Sequence, residues 1–189
     1  MSIPPDGADP SGIRSGNNGM VIKSLQSWLG LHPATPVPEP APLRDLVNAL
    51  DRLEPERAQY LARFAYLLGR VALADQQVSD EETHAMETLV IEHGALSLEQ
   101  AMLVVSLAKA SIQMFGATAD FDVTQEFTDT TEYEERLLLA RCLFAVAASD
   151  ARISMAEEAE VHRITNQLRI APADLTALRL QHRRFLPGL

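Results

Sequence analysis

The chain repeats part of itself, and this repeat limits the folds open to it more than any other feature. Residues Phe64–Glu82 and Leu139–Glu157, which lie 75 positions apart, agree in residue type at most informative positions. The matching pairs include Phe64 and Leu139, Leu68 and Leu143, Val71 and Val146, Asp75 and Asp150, Val78 and Ile153, Ser79 and Ser154, and Glu82 and Glu157. Such a repeat predicts one supersecondary unit used twice, so the copies are expected to form related halves of the fold.

Each copy predicts a helix, a short turn and a second helix. Apolar residues recur at helical spacing through the first helix of each copy, which gives that helix an apolar face. No stretch of the chain has the alternation of a strand. We therefore predict an all-α fold: a single helical domain of two quasi-twofold-related helical halves, preceded by a short helix and a proline-rich linker.

The sequence before the helical domain divides into two parts. Residues 1–19 are rich in proline and glycine and have almost no apolar pattern, so we predict a disordered tail. Residues 20–42 are predicted to hold a short amphipathic helix through Val21–Leu29 and then a linker, because His32–Pro42 contains five of the 11 prolines. Residues 43–189 are predicted to form the helical domain.

Two local features inside that domain have specific interpretations. Gly94 is predicted to end the second helix of the first copy, as glycine often does, and Ser97 is predicted to cap the helix that follows. The stretch Ala117–Glu135 holds seven acidic residues and no lysine or arginine. One interpretation is a solvated connecting segment that Phe121, Val123 and Phe127 hold against the core, followed by an acid-rich helix start, which the helix dipole favours. The other is a surface for a cation or a basic partner.

The most distinctive polar residues are the aspartates at the end of the first helix of each copy. Asp75 and Asp150 oppose the helix dipole there, at a cost of about 0.3–1 kcal/mol, so something must offset that cost. One explanation is a hydrogen bond from turn amides to the carboxylate. The other is a bound cation, held by Asp75 with Glu82 and by Asp150 with Glu157, together with turn carbonyls.

The serines and glutamates of the two turns also have a structural explanation. Both Ser79-x-x-Glu82 and Ser154-x-x-Glu157 fit the capping box, in which the hydroxyl and the carboxylate accept from backbone amides at a helix start. This interpretation competes with the cation site for the same glutamates, and the sequence leaves both open.

Composition excludes several classes of function. A formal charge of −10 and a pI near 4.9 disfavour nucleic acid as a partner, since phosphate binding requires a basic surface. The single cysteine, Cys142, allows no internal disulfide, and its place on an apolar helical face predicts a core residue. No signal peptide or membrane-length apolar segment is visible, so a cytoplasmic protein is expected.

Catalytic motifs are also missing. The histidines of the helical region, which are His84, His93, His162 and His182, form no metal-binding pair, and there is no glycine-rich phosphate loop or nucleophile elbow. We therefore expect a protein that is not an enzyme, with an unrecognised carboxylate-based enzyme as an alternative.

At the two turns the sequence resembles a known family. Ala74-Asp75-x-x-Val78-Ser79-x-x-Glu82 and Ser149-Asp150-x-x-Ile153-Ser154-x-x-Glu157 are similar to the repeated pattern of the TerB-like superfamily, which is named for a tellurite-resistance protein. The resemblance covers Met20 to about Arg184 and is closest to an uncharacterised bacterial branch. One departure is that Gln76 and Ala151 stand where the family has glycine, so these turns either avoid a positive φ or carry strain.

The resemblance implies an all-helical fold with quasi-twofold halves and no agreed enzymatic mechanism. It also implies cation binding at Asp75, Glu82, Asp150 and Glu157. The expected function is thus a non-catalytic TerB-like module of bacterial stress or tellurite resistance that binds a protein partner and, as an open alternative, a divalent cation. A peripheral membrane or scaffolding role through Val21–Leu29 is a further alternative.

Overall fold

The computed structural model of the chain describes residues 25–30, 41–72, 80–115, 120–150 and 152–186, without the side chains of 41, 42, 80–82, 112–115, 120 and 121. Every secondary-structure element in these ranges is helical, so the predicted all-α class is confirmed. The helices are α1 (its described part, residues 25–29), α2 (Ala41–Leu50), α3 (Pro55–Ala72), α4 (Asp80–Gly94), α5 (Leu98–Phe115), α6 (Asp120–Thr130), α7 (Tyr133–Ala147), α8 (Met155–Gln167) and α9 (Pro172–Gln181), before a 3-10 turn at Arg183–Phe185. The predicted tail at 1–19 and most of the predicted linker lie outside the described residues.

Helix α3 is the centre of the fold. It is buried over most of its circumference and packs against α5, α6, α7 and α8, as expected of a helix inside the core. The two copies of the repeat contact each other reciprocally: α3 meets α8 of the second copy, α7 meets α4 of the first, and α3 and α7 meet each other. This reciprocity agrees with the predicted arrangement of two related halves.

The acidic stretch before the second copy is a packed helix. The interpretation of Ala117–Glu135 as a solvated connecting segment is therefore wrong for α6, whereas the predicted packing of Val123 and Phe127 on the core is confirmed. Val123 and Phe127, one helical turn apart, are fully buried, and α6 packs against α3 and α8. Exposed acidic residues such as Asp122 and Glu126 occupy the outer face. The high density of acids concealed an amphipathic helix whose inner face is short.

Gly94 ends α4, as predicted, but its physical role differs from the prediction. The residue with the left-handed conformation is the next one, Ala95, at φ 53°. Gly94 is buried, and a Cβ there would lie 3.1 Å from the Cys142 Sγ and 3.4 Å from the Phe64 ring. A larger residue would require a shift of a few tenths of an ångström in these neighbours, so glycine suits the close approach of α3, α4 and α7, which is a packing role. Cys142 is buried, as predicted, and burial raises the pKa of its thiol to about 12.

Hydrogen bonds connect the last described elements to α7 and to the start of α8. Tyr133, at the start of α7, donates from its hydroxyl to the Asp174 carboxylate of α9 at 2.5 Å and accepts from the Ala171 amide at 3.1 Å. The Ile153 amide, just before α8, donates to the Phe185 carbonyl at 2.7 Å. The bond from Ile153 places the residues just before α8 next to the 3-10 turn, while the bonds of Tyr133 hold the start of α9 against the start of α7.

The described part of α1 docks on the core. Leu25 and Leu29 are fully buried in the main hydrophobic cluster, so these apolar side chains are not presented to a membrane surface. Gly30 ends the segment at φ 81°, and a Cβ there would lie 3.0 Å from the Cγ of Glu126. Over the described residues, no helix combines the length and the apolar character that crossing a membrane requires.

Candidate functional site

The turn of the second copy contains the predicted capping box. The Ser154 hydroxyl accepts from the Glu157 amide at 3.2 Å, and the Glu157 carboxylate accepts from the Ser154 amide at 2.7 Å. One function of Glu157 is thus to start α8. The matching Ser79 lies outside the described residues, although α4 begins directly after it at Asp80.

The predicted cation ligands are only partly visible. Asp150 is exposed, three residues beyond the end of α7. Asp75 and the side chain of Glu82 are outside the described residues, so the first site has no geometry to report. In the part of the chain with described side chains, no three His, Cys, Asp or Glu residues are grouped to hold a metal ion. Cation binding at Asp75, Glu82, Asp150 and Glu157 therefore stays a prediction.

A cluster of three charged side chains joins the two copies of the repeat. Glu160 of α8 binds Arg70 of α3 at 2.7 Å, and it also binds Arg163 through both carboxylate oxygens at 2.6 and 3.1 Å. The Arg70 and Glu160 side chains are only 12% and 15% exposed. Burial lowers the pKa of Arg70, whereas Glu160 opposes that shift. Sequence analysis missed this cluster, although an arginine within the apolar part of α3 is a signal that a buried charge needs a partner.

A second buried arginine joins α3 to α6. Arg63 donates to the Thr130 hydroxyl at 3.0 Å and to the Glu126 carboxylate at 3.4 Å. Burial lowers its pKa, and Glu126 works in the opposite direction. The Arg63 Nε has no hydrogen-bond partner among the described residues. Gly30, just after the described part of α1, lies against this pair: a Cβ there would be 3.0 Å from the Glu126 Cγ and 3.5 Å from the Arg63 guanidinium.

Beside this cluster is an open groove of about 550 Å³, formed by the start of α3, the end of α6 and the start of α7. We call it the Tyr60 groove, and its lining residues are Glu56, Arg57, Gln59, Tyr60, Thr130, Thr131 and Glu135. Tyr60 is the most buried of them, at 8% exposure. The volume of the groove is within the range of small-molecule sites in proteins.

The environment of Tyr60 is electrostatically unusual. The Arg57 guanidinium lies over its ring, 4.9 Å from the centroid, and is held there by a 2.6 Å bond to the Gln100 side chain. Burial raises the pKa of the Tyr60 hydroxyl, and the nearby Glu135 carboxylate raises it further. The phenol therefore stays protonated and keeps both its donor and its acceptor capacity.

Three exposed large apolar side chains flank the short connection between α4 and α5. We call this the hairpin patch, and it consists of Ile91, Leu98 and Met102. Lys109, late in α5, donates to the Thr83 hydroxyl, early in α4, at 3.0 Å. The two helices are therefore antiparallel, and the patch lies at the closed end of the hairpin. The sequence predicted the helix start at Ser97, whose hydroxyl accepts from the Gln100 amide, but not the exposure of this apolar face.

Comparison with known proteins gives a family match. A family model described as tellurite resistance protein TerB matches residues 61–180, which is more than half of the chain. The matched range begins within α3 and ends in α9, so it includes both copies of the repeat. No curated protein and no solved structure matches the chain significantly.

Proposed function

The chain belongs to the TerB family, and from this premise we propose that it is a non-catalytic helical module of bacterial stress physiology that acts by binding another protein. The observation that carries the proposal is the hairpin patch. Of the five large apolar side chains that are exposed among the described residues, three belong to it. Grouped exposed apolar residues are typical of interaction surfaces, whereas single ones are ordinary.

Charge indicates the chemistry of the partner. Glu92 and Glu99 are exposed and directly follow the patch residues Ile91 and Leu98. The chain as a whole has a formal charge of −10. A segment that combines an apolar face with flanking lysine or arginine residues fits such a surface best, because the charges steer and orient it while the apolar contacts supply affinity.

The state of the single cysteine supports the non-catalytic part of the proposal. Cys142 is fully buried, and its thiol has a raised pKa, so it stays neutral near pH 7 and is a poor nucleophile. His84, whose side chain is 82% exposed, contacts Glu87 on the surface of α4.

A variant of the hairpin patch tests the partner proposal. We expect Leu98→Ser with Met102→Ser to reduce capture of the bound protein from the native host at least tenfold, because the apolar contacts are removed. The measurement is affinity capture with quantitative mass spectrometry, and then titration of a synthetic peptide from the captured protein. The stress role is tested by whether this variant fails to restore tellurite tolerance to a deletion strain.

Leu180→Ser is the matched control for that experiment. Leu180 on α9 is 60% exposed, as is Leu98, and it lies outside the patch. Equal capture by the patch variant and the wild type would contradict the proposal, and so would an equal loss in the Leu180 variant.

The cation form of the function needs its own experiment. If Asp75 and Asp150 hold a cation, Ca²⁺, Mg²⁺ or Zn²⁺ raises the melting temperature of the wild type, because an ion that binds only the folded state stabilises it. The Asp75→Ala, Asp150→Ala double variant loses that rise. Thermal shift and calorimetry measure both effects, and identical melting with and without metal in both proteins would remove the cation site.

A further inference from the structure

The Tyr60 groove presents unused hydrogen-bond acceptors. The Thr131 hydroxyl donates to the Phe127 carbonyl at 2.5 Å, and the Thr130 hydroxyl donates to the Glu126 carbonyl at 2.6 Å. Both hydroxyl protons are thereby engaged at the end of α6. The Thr130 oxygen also accepts from Arg63, whereas the Thr131 oxygen offers its lone pairs to the groove. Glu135 accepts from the Glu132 amide at 3.0 Å through one oxygen only. Its second oxygen remains an acceptor.

Tyr60 adds a polar atom in a buried setting. The side chain is more than nine-tenths buried and lines the groove. Within the part of the chain that the structure describes, no hydrogen bond reaches its hydroxyl, whose ring is packed against Phe64 and Phe127. The hydroxyl is the part of this side chain that remains accessible, and it opens into the groove. Its donor and acceptor positions are therefore available to a bound ligand.

The charges of the groove select the ligand. Glu56 and Glu135 are acidic, and Arg57 is the one basic residue of the lining. Arg57 is already fixed by the Gln100 side chain and the Tyr60 ring. The exposed Glu132 and Glu134 add further negative charge at the start of α7. The surroundings therefore favour a ligand that carries positive charge and donates hydrogen bonds.

We propose that the Tyr60 groove binds an organic cation, a primary ammonium or guanidinium group, between the Glu56 and Glu135 carboxylates and the Tyr60 hydroxyl. The donors of such a group match the free acceptors of Glu135, Thr131 and Tyr60. The groove volume of about 550 Å³ accommodates the group together with a short aliphatic chain. The group belongs either to a free polyamine or to a lysine or arginine side chain of a peptide.

Titration of the full chain tests the proposal. Spermidine and 1,4-diaminobutane represent the free amines, N-acetyl-arginine amide and N-acetyl-lysine amide represent peptide side chains, and 1,4-butanediol is the neutral control. We expect saturable heat and amide chemical-shift changes around Tyr60 and Thr131 with at least one of the cations and none with the diol. Binding is expected to weaken with added salt, as for any partly exposed charge pair.

Conservative variants identify the residues responsible. Glu135→Gln keeps the capping geometry and is expected to weaken binding about tenfold or more, since it removes a charged acceptor. Tyr60→Phe is expected to weaken binding roughly threefold to tenfold with an unchanged melting temperature, because no protein group in the described residues uses the hydroxyl. Asp122→Asn, which changes an exposed carboxylate of α6 outside both the groove and the hairpin patch, is the matched control.

The possible outcomes separate clearly. Binding of the amines alone assigns a polyamine, binding of the blocked residues alone assigns a basic peptide side chain, and either result supports the site. Absence of binding by every cation overturns the proposal. Equal affinity in Glu135→Gln and in Asp122→Asn also overturns it, as does equal binding of the neutral diol. These results do not depend on the hairpin patch, so the two proposals fail separately.

Discussion

Replacing Phe64 with alanine is expected to lower the free energy of unfolding by about 3–5 kcal/mol. The ring is fully buried and lies next to residues of α3, α4 and α6. The centroid of the ring lies 5.8 Å from that of the Tyr60 ring and 6.5 Å from that of the Phe127 ring. The ring also packs beside Gly94, where α4 ends. Alanine leaves a cavity bounded by helices that are held in place by other contacts, so the site cannot collapse fully. Urea unfolding followed by circular dichroism measures the change.

A control for this experiment is Leu180→Ala on α9. Leu180 is largely exposed, so the same kind of truncation is expected to change the free energy of unfolding by less than about 0.5 kcal/mol. A loss below about 1 kcal/mol for Phe64→Ala would contradict the close packing of α3, α4 and α6.

The second large effect is expected for Glu160→Gln, at about 2–4 kcal/mol of lost stability. The substitution keeps the shape of the side chain but removes the charge that faces Arg70 and Arg163. With Arg70 only 12% exposed, water compensates poorly for the lost carboxylate, and breaking a buried pair costs far more than breaking a surface pair. Urea unfolding of Glu160→Gln, Arg70→Met and the double variant measures the coupling between them.

Glu158→Gln provides a matched comparison on the same helix. Glu158 binds Arg179 at 2.5 Å, but those side chains are 23% and 41% exposed, so the expected loss is below about 1 kcal/mol. Equal losses for Glu158→Gln and Glu160→Gln would show that burial does not distinguish the two ion pairs.

The fold was predictable because its signals are local or repeated. The duplicated apolar pattern gave α3 and α7, and the serines at 97 and 154 marked helix starts through hydrogen bonds that span three residues. The identity of α6 was not predictable in the same way. Its inner face rests on Val123 and Phe127 and on two threonines, which is too little apolar signal to outweigh its acidic residues.

The candidate site was much less predictable than the fold. Ser154 and Glu157 followed from a short motif, and the structure contains their capping box. The Tyr60 groove and the Arg70–Glu160 pair depend on helices that are far apart in sequence, so no spacing rule reveals them. The same holds for Gly94, whose packing role depends on Cys142 and Phe64 from two other helices.

The Arg70–Glu160 pair also means that the two halves of this duplicated chain are no longer interchangeable. A shift of 75 positions carries Arg70 to Ala145 and carries Glu160 back to Ala85, so the opposite side of the pseudo-twofold has no such pair. Two copies of the first half, docked as the two halves are here, would set a buried guanidinium against alanine. The pair therefore disfavours self-association of either half. It favours packing of each half against the other, whose sequence has diverged from its own.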